Sequence, residues 1–120
     1  MSNVKQSVPD DEKVVLMSLL KALKPFRELD STMPLQYVTA FLQVAIKEGQ
    51  TVSEYAKILG TSQSLMTRHL ADIGKINRYH EDGYDLIEAT NDLMDRRTKR
   101  NQQTAKGQRL VGQLLGALAK

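Results

Sequence analysis

Apolar residues recur along this chain in two rhythms, and the first is helical. Leu16, Leu19, Leu20 and Leu23 fall three and four residues apart, the spacing that puts side chains on one face of an α-helix. Asp10, Asp11 and Glu12 at one end and Lys21 and Lys24 at the other suit the helix dipole, with Pro25 just beyond. The stripe they frame must bury against something, within the chain or across a dimer. Residues 1–9, ending at Pro9, read as a short flexible lead.

A second helix is predicted from Pro34, a residue suited to a first turn, to Gly49. Its buried face is read as Leu35, Val38, Leu42, Ala45 and Ile46, with Phe41 beside them and Tyr37 and Phe41 in or at the edge of the core. Thr51-Val52-Ser53-Glu54 then has the spacing of a capping box, in which each side chain satisfies the other residue's free backbone N–H. A short helix follows from Val52 to about Leu59, Gly60 supplies a turn, and Ser62 caps a helix running to about Ile73. Two short helices joined by a glycine-containing turn are a helix-turn-helix candidate.

Beyond Ile73 the second rhythm, a loose alternation, takes over. Gly74 to Gly83 reads as a connection, with room for a further turn of helix. Tyr84 to Thr90 is a candidate strand with Leu86 or Ile87 inward, and Thr98 to Gln103 a polar return strand suited to an exposed ribbon. Thr104 caps a last helix whose apolar face is Leu110, Val111, Leu114, Leu115 and Leu118. Gly112 and Gly116 lie one turn apart in it, each costing about 1 kcal/mol against alanine; close helix approach and fraying near a terminus both account for them. The expected fold is mainly α with a small antiparallel β-hairpin, one domain over residues 10–120.

Charge adds what periodicity does not. From Glu81 to Asp95 there are six acids and no Lys or Arg; from Arg96 to Arg109 there are six Lys or Arg and no acid. The reversal falls on Asn91-Asp92-Leu93-Met94-Asp95 and Arg96-Arg97-Thr98-Lys99-Arg100, at the tip of the expected hairpin. Such a tip is either a solvated, salt-bridged loop or a clamp for a phosphate backbone or minor groove. The formal net charge of +3 is only modest support for a polyanionic partner. Absence of cysteine removes disulfides, thiolate zinc sites and thiol redox sensing. With no apolar run of membrane-spanning length and a polar N-terminus, the expectation is a cytoplasmic protein with no membrane partner.

In a helix starting at Ser62, the residues Met66, Leu70 and Ile73 share one face and can pack on Ala56 and Leu59. The opposite face carries Gln63, Ser64, Thr67 and Arg68. A polar helix face is usually only solvated, yet these are side chains that read bases or hold phosphates: Gln pairs with adenine, Arg with guanine, Ser and Thr with either target. His69 and His80 have no metal-ligand partner at useful spacing, and Glu81, Asp82 and Asp85 read as loop solvation or ion-pair partners. No nucleophile motif, glycine-rich loop or second carboxylate set is present, so neither enzyme activity nor a cofactor is expected.

Residues 33–111 resemble the winged helix-turn-helix domain of the MarR family of bacterial transcription regulators. The resemblance rests on Met33-Pro34-Leu35-Gln36, Thr51-Val52-Ser53-Glu54-Tyr55-Ala56, Leu59-Gly60-Thr61-Ser62, Thr67-Arg68, and Asp95-Arg96-Arg97 leading to Thr104-Ala105-Lys106-Gly107. It implies double-stranded DNA as partner, with Ser62, Gln63, Ser64, Thr67 and Arg68 facing a major groove. Arg96 or Arg97 would reach the minor groove from the wing, Asp95 would orient one arginine through a charge-assisted bond, and Lys99 and Arg100 would meet phosphate or solvent. The acids from Glu81 to Asp92 would repel phosphate and confine contact to the tip.

The resemblance also implies a homodimer, a pseudo-palindromic site with half-sites about one helical turn apart, repression of transcription, and a small anionic or phenolic effector. Two departures stand out. The stretch from Ile73 to Leu86 is longer than is usual in the family, and the long helices that generally follow the wing are absent up to Lys120. Dimerisation would then rest on Leu16, Leu19, Leu20 and Leu23 together with Leu110, Leu114, Leu115 and Leu118. The alternative function is a winged-helix module that binds protein, an antirepressor or adaptor, without specific DNA affinity.

Overall fold

The computed structural model describes residues 8–119, so most of the expected N-terminal lead lies outside the described residues. Five helices and one hairpin follow in the order α1 (Asp10–Leu29), α2 (Leu35–Ile46), α3 (Val52–Leu59), α4 (Gln63–Asp72), β1 (Ile87–Asn91), β2 (Lys99–Gln103) and α5 (Ala105–Leu118). This is a mainly α winged helix-turn-helix. Helices α2, α3 and α4 form a head, while α1 and α5 lie side by side as an arm, giving extents of 57 × 30 × 26 Å. The arm helices are antiparallel: Pro25 and Leu29 border Lys106 and Leu110 at one end, and Met17 borders Gly116 at the other.

Helix α1 does not stop at Pro25 but runs through it to Leu29. An interior proline costs about 3 kcal/mol through its missing N–H and ring clash. Burial of Phe26, worth roughly 1.5–3 kcal/mol, offsets much of that cost; its ring meets Phe41 edge-on at 6.0 Å. Asp30 then closes the helix, its N–H donating to the Phe26 carbonyl and its carboxylate accepting from the N–H and hydroxyl of Thr32.

The expected face of α2 is rotated, and the leucine stripe of α1, which could bury within the chain or across a dimer, is mostly outside the chain's own core. In α2 the buried residues are Val38, Ala40, Phe41 and Val44, whereas Leu35 and Ile46 are exposed and the helix ends at Ile46 rather than Gly49. In α1 the buried residues are Ala22 and Phe26, with Leu23 partly buried, while Leu16, Leu19 and Leu20 face outward. Leu110 and Leu114 belong to the chain's own core and are not free for a second subunit; Leu115 and Leu118 are exposed. Nothing lies within 4 Å of a Cβ built on Gly112 or Gly116, so neither glycine serves a close helix approach inside the chain.

The hairpin pairs β1 and β2 antiparallel, from Ile87 opposite Gln103 to Asn91 opposite Lys99. Both Leu86 and Ile87 are buried, where alternation placed one or the other inward, because Leu86 precedes the strand and lies under α5. The connection from Gly74 to Gly83 contains no further helix and is stitched by bridges between Ile76 and Asp82 and between Gly74 and Ile87. A third bridge, Gln50 with buried Asn101, docks the wing on the turn between α2 and α3.

Helix α5 begins against the backbone of Leu86. Thr104 N donates to the Leu86 carbonyl at 3.1 Å, Thr104 Oγ1 donates to the Asp85 carbonyl at 2.6 Å, and Gly107 N donates to Thr104 Oγ1 at 3.0 Å. A Cβ on Gly107 would sit 2.2 Å from the Leu86 carbonyl oxygen. Gly107→Ala is therefore expected to lower stability by about 1–3 kcal/mol, read as a lower denaturation midpoint. Gly112→Ala, at an open position, should leave the midpoint unchanged or raise it.

Between arm and head, Tyr37 and Tyr84 pack edge to face with ring centroids 6.2 Å apart. Tyr37 donates to Asp72 at 2.5 Å and Tyr84 donates to Asp30. Burial first, and then the carboxylate each phenol faces, push both phenols up to about 12. Because the folded values lie above 10, the stability they contribute is fully present below pH 10 and lost as pH rises towards 12. A spectroscopic titration should show these tyrosinates forming together with loss of helical circular dichroism; tyrosinates forming near pH 10 with the fold intact would contradict this.

Candidate nucleic-acid interface

The placement of α4 follows from local chemistry. Thr51 and Glu54 complete the capping box, with Glu54 N donating to Thr51 Oγ1 at 3.3 Å and Thr51 N donating to Glu54 Oε1 at 2.8 Å. The Thr51 backbone N–H first, and then the Thr51 side chain, hold the Glu54 carboxyl below its ordinary range. Gly60 ends α3 with φ 68°, the left-handed region. Ser62 Oγ accepts from Leu65 N at 3.1 Å and starts α4. Met66, Leu70 and Ile73 turn inward, and Gln63, Ser64, Thr67 and Arg68 are exposed.

Within this face the groups are not equally free. Gln63 Oε1 accepts from Ser53 Oγ at 2.8 Å, which orients the amide and leaves its two N–H donors available. Thr67 Oγ1 donates to the Gln63 carbonyl at 2.9 Å, so its proton is spent inside the helix. Ser62 is an acceptor in its cap and keeps its own hydroxyl proton. Arg68 makes no ion pair among the described residues.

The wing sorts its charges by position. Arg96, Arg97 and Lys99 are exposed and, among the described residues, have no carboxylate within 4.0 Å. Arg100 differs from the expectation of phosphate or solvent contact: Nε pairs with Asp92 at 2.7 Å, Nη1 donates to the Gly49 carbonyl at 2.9 Å, and Glu54 lies at 3.9 Å. It is an anchor at the wing's base. Asp95 also differs, accepting from the Arg97 backbone N–H at 3.0 Å and the Thr98 hydroxyl at 2.9 Å, not from a guanidinium. It shapes the loop that carries the arginines.

Asp92, grouped in the sequence with phosphate-repelling acids, is neutralised by Arg100. The Met94 amide and then the Arg100 guanidinium hold its carboxyl below the usual value of 3.8, and Asp92 in turn holds Arg100 above its own. Neither the anchor nor the Ser53–Gln63 bond was foreseen from sequence. An acid at one shoulder of the hairpin loop with a base eight residues on was the available signal.

Helix and wing share one surface. Thr51, Val52, Ser53 and Gln63 face Arg97, Thr98 and Lys99 across an open cleft of about 370 Å³. Behind α4, buried Asp72 accepts from Tyr37 and from the Arg78 N–H, and pairs with Arg78 Nε at 3.4 Å. His69 packs against Tyr37, and burial holds it below its ordinary pKa. Among the described residues no group of three or more His, Cys, Asp or Glu is placed to hold a metal ion, and no helix is long and apolar enough to cross a membrane.

This geometry has close counterparts among solved structures. A MarR-like transcriptional regulator of Thermotoga maritima is 26% identical with a TM-score of 0.64, over 95% of this chain and 77% of that one. A MepR variant of S. aureus bound to an oligodeoxyribonucleotide is 18% identical with a TM-score of 0.67, over 91% and 73%. FabT of Streptococcus pneumoniae in complex with DNA is 17% identical with a TM-score of 0.61, over 91% and 71%. The sequence matches no protein-family model and no curated protein. The chain thus has the MarR-like winged helix-turn-helix fold that the motifs led one to expect.

Asp92→Ala removes the anchor's best acceptor. Amide hydrogen exchange across Lys99–Gln103 should accelerate while α2 and α4 stay protected. The folded Asp92 pKa is depressed, so its contribution is present above pH 3.8 and lost as pH falls through the lowered value. Wild-type wing protection should therefore persist to pH 3.8 and decline below it.

Proposed function

We propose that this protein is a DNA-binding transcription regulator that inserts α4 into a major groove and its wing into the adjacent minor groove. The observation that carries the reading is the cleft that brings Arg97 and Lys99 of the wing to Gln63 on the capped polar face of α4, with Arg68, Arg96, Arg97 and Lys99 all exposed and, among the described residues, in no ion pair. Unpaired cations held on hydrogen-bonded elements are what phosphate neutralisation needs. The DNA-bound states of the FabT and MepR relatives support the same reading. Ser62, Gln63 and Ser64 supply donors to bases or phosphates, Arg68 the charged contact, and Arg96 or Arg97 the minor-groove contact. Arg100 holds the wing in place for them. Nothing in this role calls for catalysis or a cofactor.

The outward row Leu16, Leu19 and Leu20 with Leu115 and Leu118 is the face proposed for a second copy. A twofold pair would present two α4 helices to a pseudo-palindrome and act by blocking transcription. A pocket of about 200 Å³ lined by Leu23, Phe26, Asp30, Met33 and Val38 sits where arm meets head and is the site proposed for a small effector, if one binds.

Wild-type protein should select a twofold-symmetric duplex from a random pool and lose affinity with salt at a slope of about 0.9 per phosphate neutralised. Arg68→Ala with Arg97→Ala should weaken binding and flatten that slope by about two contacts. Leu16→Glu with Leu20→Glu should turn a sedimenting dimer into a monomer and cost affinity for the full site more than for a half-site. A wild-type monomer without DNA affinity at low salt would instead favour the protein-binding adaptor.

A further inference from the structure

The wing tip carries a feature that phosphate contact leaves unused. Leu93 and Met94 are 97% and 94% exposed, the two most exposed large apolar side chains among the described residues. They lie on the wing loop, apart from the apolar row of the arm. Their loop is closed by its own bonds: Met94 N donates to Asp92 Oδ1 at 2.8 Å, Asp92 N to the Thr98 carbonyl at 2.8 Å, and Thr98 N to the Asp95 carbonyl at 3.0 Å. Arg100 fixes the loop's base through the same Asp92. A short hydrogen-bonded loop thus holds two bare apolar side chains outward, with Arg96 and Arg97 immediately beside them.

An exposed apolar pair followed by two arginines, with Asp92 paired to Arg100 and Asp95 taken up by the Arg97 amide and the Thr98 hydroxyl, suits a partner with an apolar interior and an anionic rim. A DNA minor groove offers both, sugar and base faces between two phosphate rows, and accepts Leu and Met as wedges between base steps. The wing shares a cleft with Gln63 of α4, so a duplex lying on α4 also meets the wing. A lipid surface matches the chemistry of the tip alone but not its continuity with α4.

We propose that Leu93 and Met94 form a wedge that enters the minor groove at a base step and kinks the duplex, while one of Arg96 and Arg97 makes the minor-groove contact beside them and the other holds a flanking phosphate. The inference rests on the DNA-binding reading above. Unstacking is easiest at pyrimidine–purine steps, so the wedge gives the protein a preference for TA or CA at a flanking position that α4 does not touch.

The test uses the full chain and the duplex that wild-type protein selects from a random pool, with 2-aminopurine beside the flanking step and fluorophores at the ends. Wild type should shorten the end-to-end distance, brighten the 2-aminopurine and favour TA over AA at that step. Leu93→Ser with Met94→Ser changes only exposed positions; it should bind about tenfold more weakly, lose bend and step preference, and keep the salt slope because every arginine remains. Tight wild-type binding to unbent DNA, or a double variant that still bends it, overturns the wedge and leaves the DNA-binding reading intact. Failure of wild type to bind any duplex at low salt sinks both. Binding to anionic phosphatidylserine vesicles that the double variant loses, with no effect on DNA, assigns the tip to lipid and overturns the proposal.

Discussion

The seam between Ile73, Leu86 and Thr104 holds this molecule together. Leu86 N donates to the carbonyl of Ile73, the C-cap of α4, and the Leu86 carbonyl accepts from Thr104, the N-cap of α5. One buried residue thereby joins the end of α4, the root of the wing and the start of α5. The approach is so close that only hydrogen fits on the facing α carbon of Gly107. With interiors packed at crystal density, such a junction moves as a unit or not at all. The relative setting of helix and wing, on which any shared groove contact depends, is a property of the seam rather than of either element.

The charge reversal along the chain has two layers in three dimensions. At the base of the wing, Asp92 and Arg100 neutralise each other and tie the hairpin to Gly49. At the tip, Asp95 is occupied by backbone and hydroxyl donors, which leaves the neighbouring arginines uncompensated. Acid and base next to each other in sequence therefore do not pair with each other. The acids build a scaffold, and the positive charge not used in it is displayed.

Local signals were legible because they act over a few residues. The Thr51–Glu54 box, the Gly60 turn, the Ser62 and Thr104 caps and the inward face of α4 all depend on neighbours within a turn of helix, and each lies where spacing put it. The hairpin's two strands were read to within a few residues for the same reason. Faces were harder. In α2 the apolar residues nearly encircle the helix, so periodicity alone did not say which arc would meet the core, and in α1 it left burial within the chain or across a dimer open; Phe26 against Phe41 fixes which arcs face the chain's own core. Pro25 misled because an end signal yields to tertiary burial just beyond it. Among the site residues, the exposed positions of Gln63, Ser64, Thr67 and Arg68 were legible, but the roles of Arg100 and Asp95 depend on partners far away or on backbone geometry that no spacing encodes.

The bridge between Gln50 and Asn101 bears on the order in which the chain acquires structure. A two-stranded hairpin is marginal by itself in water, and β2 is a polar segment with little apolar surface to bury. Its backbone ties to the head run to Gly49 and Gln50, about fifty residues earlier. Loop closure over that distance must precede any reward from the contacts. The three head helices emerge before the wing during synthesis and rely on near neighbours. On that reasoning the wing settles after the head helices it rests on, onto a surface that α2 and α3 have already prepared for it.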